Sequence, residues 1–198
     1  MGRAADPGKG VSMTTSVDTP GRLRRCARAA AGSIVYCAAL IPFAVPALIA
    51  ALGGRTEAAA RWWRRLHPGT PAEPSGRPGL VPVAGHALIS LLLGAAALVP
   101  LGVELAFVFR GVFYGLVDPG PYDQSWGGPG RGGAWAAHFL ISLPMAAAGV
   151  LVLTGIAAVH RRLAPVLAGR RPAPWVIPVA LAIPVPAVAL FIAWLHQI

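Results

Sequence analysis

Charge is what this sequence has least of. Only 12% of its residues are Asp, Glu, Lys or Arg, against 56% hydrophobic, and residues 134–159 contain none of the four. A soluble helix of that length keeps charge along one face, so a chain with this deficit has lipid for most of its solvent. Lys9 is the only lysine. Cysteine is scarce too. Cys26 and Cys37 stand 11 residues apart, ~16 Å along one helix, and cannot bridge within it. No Cys/His spacing suits zinc, and His67, His86, His138, His160 and His196 are scattered without a metal-ligand pattern. Also missing are a GxSxG nucleophile elbow, an HExxH zinc helix, a phosphate-cradling loop and a dinucleotide-binding glycine pattern after a strand. These absences argue against an enzyme and leave no catalytic residue, metal or cofactor to expect.

What is present is organised around residues 80–160, two long apolar stretches joined by DPGPYDQSWGGPGRGG. A helix needs about 20 mainly apolar residues to cross a ~30 Å hydrocarbon core. Residues 80–117 exceed that, with His86, Glu104 and Arg110 as their only ionisable side chains, and residues 134–159 form a second such stretch. Nine of the residues between 118 and 133 are Gly or Pro, which stops a helix and favours tight turns. The pair therefore reads as a helical hairpin with a structured cap. Two further apolar stretches, 29–54 and 175–198, give four hydrophobic segments. The fold expected is all-α, a polytopic membrane bundle forming one domain over 29–198 behind a disordered basic tail at 1–28.

Between the first two stretches, residues 55–67 are amphipathic. Glu57 and Arg61 are spaced to pair, and Ala58, Trp62 and Leu66 share a face. Such a helix belongs in the head-group layer, tryptophans at the boundary and arginines toward phosphate. Residues 68–79 form a Pro-rich connector. In the last segment Trp175 and Trp194 lie 19 residues apart, about 28 Å along a helix, which matches a bilayer core, and Pro178, Pro184 and Pro186 predict a bend.

The net charge of +10 sits beside the apolar segments and not in a stripe with interleaved aromatics, so it points to anionic lipid and not to nucleic acid. Six basic residues precede residue 29, five lie in 53–79, one in the Gly-rich loop and four in 160–174. If all four segments cross, the two sides hold seven and nine; if the first re-enters, they hold 15 and one. The positive-inside rule prefers the second. Pro42 and Pro46 would supply its turn, leaving the Gly-rich loop and C-terminus facing outward.

The chemistry available lies in two places. Asp118, Tyr122, Asp123, Trp126 and Arg131, with His138 just beyond, offer polar groups beside aromatic faces for a small polar or cationic ligand. Within the apolar stretches, His86 and Glu104 are 18 residues apart, ~27 Å along one helix, each near an end where water or head groups are within reach. Glu104 needs a partner such as Arg110, His138 or a backbone group. Gly111 and Gly115 permit close helix packing, as do Ser142 and Ala146 on the hairpin partner.

The tract PYDQSWGGPGRGGAWAAHFLISLP, with Tyr122, Trp126, Gly127, Gly128, Pro129, Gly133, Trp135 and His138, resembles the sensor domain of actinobacterial membrane proteins. That domain often stands before a histidine kinase module. A weaker similarity runs from Tyr36 through Pro42 and on to Leu66, so the resemblance spans roughly residues 30–168. The family's front half resembles two crossing helices, for which 29–54 is too short, and where kinase-linked members continue into a cytoplasmic module this chain has another apolar helix. The resemblance implies a sensory or accessory module of the cytoplasmic membrane that passes an envelope or bilayer signal to a membrane partner. A transporter component, resting on Glu104, Arg110 and the proline-broken helices, is the alternative, and a structural membrane protein the third.

Overall fold

The structure, a computed structural model, describes residues 19–66 and 78–196. Residues 1–18 of the tail expected at 1–28, residues 68–77 of the connector expected at 68–79, and residue 67 lie outside them, as does the side chain of Trp194. Among the described residues every regular element is helical. Four helices are long and apolar enough to cross a membrane: Gly21–Leu52, Leu80–Val112, Arg131–Ala168 and Val176–Ala193. The all-α bundle expected from the sequence is what forms, and the protein is a multi-pass membrane protein.

Helix α1 (Thr19–Leu52) runs 34 residues without a break, ~51 Å end to end. Two expectations are corrected here. The basic stretch holding Arg22, Arg24, Arg25 and Arg28 is the start of this helix and not part of a tail. The re-entrant turn is absent, with Pro42 and Pro46 both inside the helix. Each proline deletes one backbone donor and bends the helix, whereas a turn at depth would open a run of peptide groups to lipid at several kcal/mol each. The straight path is cheaper, and Leu40, Ala44 and Ala47 around the prolines are buried against neighbours. With α1 crossing outright, the basic residues divide seven against nine, so charge counting no longer separates the two sides.

Glycine ends α1: Gly54 takes φ +76°, and Arg55 N–H bonds back to Ala50 O at 2.8 Å. The chain then doubles back as α2 (Thr56–Arg64), whose Trp62 and Trp63 both meet Phe43 of α1, centroids 5.5 and 6.4 Å apart. Glu57 and Arg61 pair at 3.8 Å as their spacing predicts. The buried face is one residue round from the expected one. Ala59, Ala60 and Trp63 are buried while Trp62 stays 38% exposed, because the Trp63 indole fills a gap in the bundle.

Helix α3 (Leu80–Ala106) continues through a π-helical turn, Phe107–Val112, into the short α4 (Tyr114–Val117). After the Gly-rich loop, α5 (Arg131–Arg161) returns antiparallel to α3: Gly111 faces Ser142, Gly149 faces Glu104, and Ser90 bonds His160. A 3-10 turn, Ala164–Ala168, leads to α6 (Val176–Ala182) and α7 (Pro184–Leu195), which follow each other through Ile183, itself at helical φ −55° and ψ −42°, as one apolar span. Leu40, Trp63, Leu93, Leu153, Leu163 and Val176 are fully buried at the centre. Gly94 lets α1 and α3 close, since a Cβ there would lie 2.7 Å from Ile41 Cγ1.

Candidate functional site

At the loop end of the hairpin, a cleft of about 460 Å³ opens between the Gly-rich loop and α5, lined by Tyr114, Gln124, Ser125, Trp126, His138 and Ser142 among others. The loop reaches this position because Gly127 and Gly133 pack backbone on backbone; a Cβ on either would occupy the other's carbonyl group. Gly120 and Gly128, at φ +83° and +90°, supply turns that other residues resist. Trp135 fastens the far wall. Its indole N–H is shared between Gly111 O and Val112 O, at 3.0 and 3.1 Å, and its ring lies against Gly115. Those two carbonyls belong to the π-turn, where Phe113 N–H reaches Val108 O at 3.0 Å. Wider turns of this kind recur at functional sites.

The six loop residues singled out by sequence divide into three pairs. Asp118 and Tyr122 hold the loop together: Asp118 Oδ1 accepts from Gly120 N–H at 2.9 Å, and the Tyr122 hydroxyl donates to Asp118 O at 2.5 Å. The Gly120 N–H, followed by the Tyr114 hydroxyl, holds the Asp118 carboxyl below its ordinary value. The same Asp118 carboxylate, by accepting the Tyr114 hydrogen bond, raises the tyrosine. Asp123 and Arg131 point into solvent and do not line the cleft. Trp126 and His138 do line it.

His138 stacks on Tyr114, centroids 3.9 Å apart and planes 11° from parallel. Its Nδ1 lies 2.9 Å from Ala134 O; a carbonyl only accepts, so Nδ1 carries the proton. Trp126 is 86% exposed, and the buried Ser125 hydroxyl oxygen has no hydrogen-bond partner among the described residues. The lining contains no Asp, Glu, Lys or Arg. The chemistry on offer is therefore hydrogen bonding and ring stacking, with Asp118 and Asp123 outside the lining.

His86 departs most from expectation. It is 2% exposed, inside the core and not beside water, in a polar cluster that joins three helices. His160 Nδ1 meets the Tyr36 hydroxyl at 2.7 Å, His160 Nε2 meets Ser90 Oγ at 2.7 Å, and Ser90 Oγ lies 2.6 Å from His86 O. The carbonyl end sets the direction of these three bonds, and Ser90 Oγ also lies 3.4 Å from His86 Nδ1. Ser90 must donate to His86 O, so it accepts from His160 Nε2–H, which leaves Nδ1 to accept from Tyr36. Trp63 closes the cluster from α2, its ring 4.8 Å from that of His86 and 5.5 Å from that of His160, and Arg161 lies 4.5 Å from the Tyr36 ring centroid. These bonds tie α1, α3 and α5 together, and the cluster acts as a lock between them.

Sequence reasoning passed over Tyr36, Ser90 and His160, which are far apart in the chain. The available signal was polarity inside apolar segments. Arg110 is exposed, and Glu104 turns toward Gly149 of α5 and not to Arg110 or His138. Gly111 and Gly115 pack against Ser142 and Trp135 within the chain, as the small-residue spacing suggested. Cys37 is buried with its thiol on Leu153 O at 3.3 Å, while Cys26 is exposed. Among the described residues no group of three or more His, Cys, Asp and Glu side chains is placed to hold a metal ion. Compared with family models, curated proteins and solved structures, the chain matches none.

Proposed function

We propose that the protein is a sensory or accessory module of the cytoplasmic membrane, which takes a small uncharged ligand in the loop-end cleft and relays its presence to a membrane partner. The observation that carries this reading is the unpartnered Ser125 hydroxyl beside the Tyr114–His138 stack and the open Trp126 ring. Burying a hydroxyl without a hydrogen bond costs roughly 1–3 kcal/mol, a deficit that a ligand relieves once the loop shifts to uncover Ser125 Oγ, which is closed off in the free cleft. The route outward is also short. His138 and Ser142 sit on the same helix as Trp135, which holds the π-turn of the α3 strand of the hairpin. The resemblance of the Trp-Gly-Gly-Pro tract to membrane sensor domains supports the same reading. Anionic head groups beside the arginines of α2 and of residues 161–171 are its proposed lipid contacts.

The transporter alternative rests on Glu104 and Arg110, and here Glu104 turns to Gly149 of α5 while Arg110 is exposed. The test is hydrogen exchange on the full chain in nanodiscs, with glucose, inositol, glycine and choline as probes. An uncharged probe is expected to protect amides over 107–117, and Trp126→Ala and His138→Ala to abolish that protection. Protection by choline alone, or by no probe, overturns the reading.

A further inference from the structure

A second concavity lies on the lipid-facing side of the bundle, away from the loop. It is a groove of about 570 Å³ between α3, α5 and α7, lined only by apolar residues, Pro100, Val103, Gly149, Gly155, Ile183 and Pro186 among them. Missing side chains make it: Gly149 and Gly155 both line the groove, and a Cβ added at Gly155 would meet nothing within 4 Å. Along α5 the groove runs from Met145 to Val159, ~21 Å.

Glu104 stands beside this groove. Its Oε1 is buried and accepts no hydrogen bond among the described residues, although the carboxyl leans on the Val150 backbone N–H. Gly149, a lining residue, is bare where the carboxyl comes in: a Cβ there would strike Oε1. Depth matters as well. Glu104 is 24 residues beyond Leu80, ~36 Å along the helix, so it lies near the membrane boundary opposite to the one at which Leu80 enters. A carboxyl at a boundary, above a trough that descends through the hydrocarbon, has the layout of a site for head and tail.

From this geometry we infer that the groove binds a single-chain amphiphile with an amine head, its chain along α5 and its amine on Glu104. The size of the groove selects a chain over a protein helix. A helix of ~10 Å diameter and the same length fills about 1,600 Å³, nearly three times the space. The apolar lining offers a chain nothing but packing, and the carboxyl beside it is an acceptor, which selects a donor of positive charge for the head.

The test uses the full chain in phosphatidylcholine bilayers with spin-labelled stearylamine, stearyl alcohol or stearic acid, reading the motionally restricted fraction by electron paramagnetic resonance. The net charge of +10 biases unspecific contact toward the acid, so an amine preference runs against the background. Stearylamine is expected to associate about tenfold more strongly than the alcohol, the value of one charge-assisted hydrogen bond. Glu104→Gln should remove that preference. Gly155→Leu, whose Cβ meets nothing within 4 Å, should fill part of the groove and lower retention of both amine and alcohol. Equal retention of the three probes overturns the inference, as does an amine preference that survives Glu104→Gln, or retention untouched by Gly155→Leu.

Discussion

Ser90→Ala asks whether the buried cluster is the lock its geometry describes. The substitution leaves His160 Nε2–H, on a residue with 0% exposure, facing a methyl group. An orphaned buried donor costs about 1–3 kcal/mol, whereas interhelical hydrogen bonds measured within membranes average about 0.6 kcal/mol and reach about 1.7. The upper part of the membrane range applies, since protein surrounds the imidazole on every side and neither water nor lipid can stand in. Alanine returns roughly half a kcal/mol as the better helix former, so the net loss is about 1 kcal/mol. Tyr36→Phe removes the other partner of the same ring. In the double variant the two losses should fail to add by about 0.5 kcal/mol, because an imidazole stripped at one nitrogen has less to lose at the other. Reversible unfolding in mixed detergent and dodecyl sulfate micelles, followed by circular dichroism, measures all four corners of the cycle. Nitrogen-15 NMR adds a second readout. In the wild-type protein His160 should appear as the Nε2–H tautomer, and in Ser90→Ala it should move toward Nδ1–H. Strictly additive losses, each below about 0.3 kcal/mol, together with an unmoved tautomer, would refute the lock.

Two further expectations follow from the loop. Gly127→Ala places a methyl on the Gly133 carbonyl and should cost roughly 1–3 kcal/mol as overpacking against backbone, with near-ultraviolet dichroism of the tryptophans changed and helix content kept. Asp118 gives the pH dependence. Its carboxyl titrates below the ordinary 3.8, so its hold on Gly120 is complete above that value and disappears as pH falls through the lower folded one. The carbon-13 shift of the Asp118 carboxyl should show a midpoint below 3.8, and Asp118→Asn should abolish the acid-linked change in the loop.

How much of this was legible in advance depends on whether a feature is local. The four apolar segments, the hairpin, the Glu57–Arg61 pair and the close approach at Gly111 and Gly115 are set by composition and by helical spacing, which the sequence displays directly. The straight passage of α1 was not legible, because counting arginines weighs a whole-chain preference while Pro42 and Pro46 are settled by what packs around them. The face of α2 was off by one residue for the same reason: only the bundle reveals a gap that Trp63 fills. In the loop, spacing brought Trp126 and His138 to the cleft but gave no sign that Asp118 would be consumed by Gly120 and Tyr114. His160 was invisible as a site residue, since its partners Tyr36 and Ser90 come from two other helices.

All of these readings rest on four complete crossings, and the side on which each loop emerges tests that most directly. Cys26 is exposed at the start of α1 and reports on that end with a membrane-impermeant maleimide applied to one face of oriented vesicles. Asp123→Cys and Arg171→Cys, each in a Cys26→Ser background, report on the Gly-rich loop and on the turn after α5. Four crossings predict that Cys26 and the thiol at position 123 label from the same face, and the thiol at position 171 from the other. Labelling of Cys26 together with position 171, opposite to position 123, would contradict the account, since only a first segment that turns back gives that pattern.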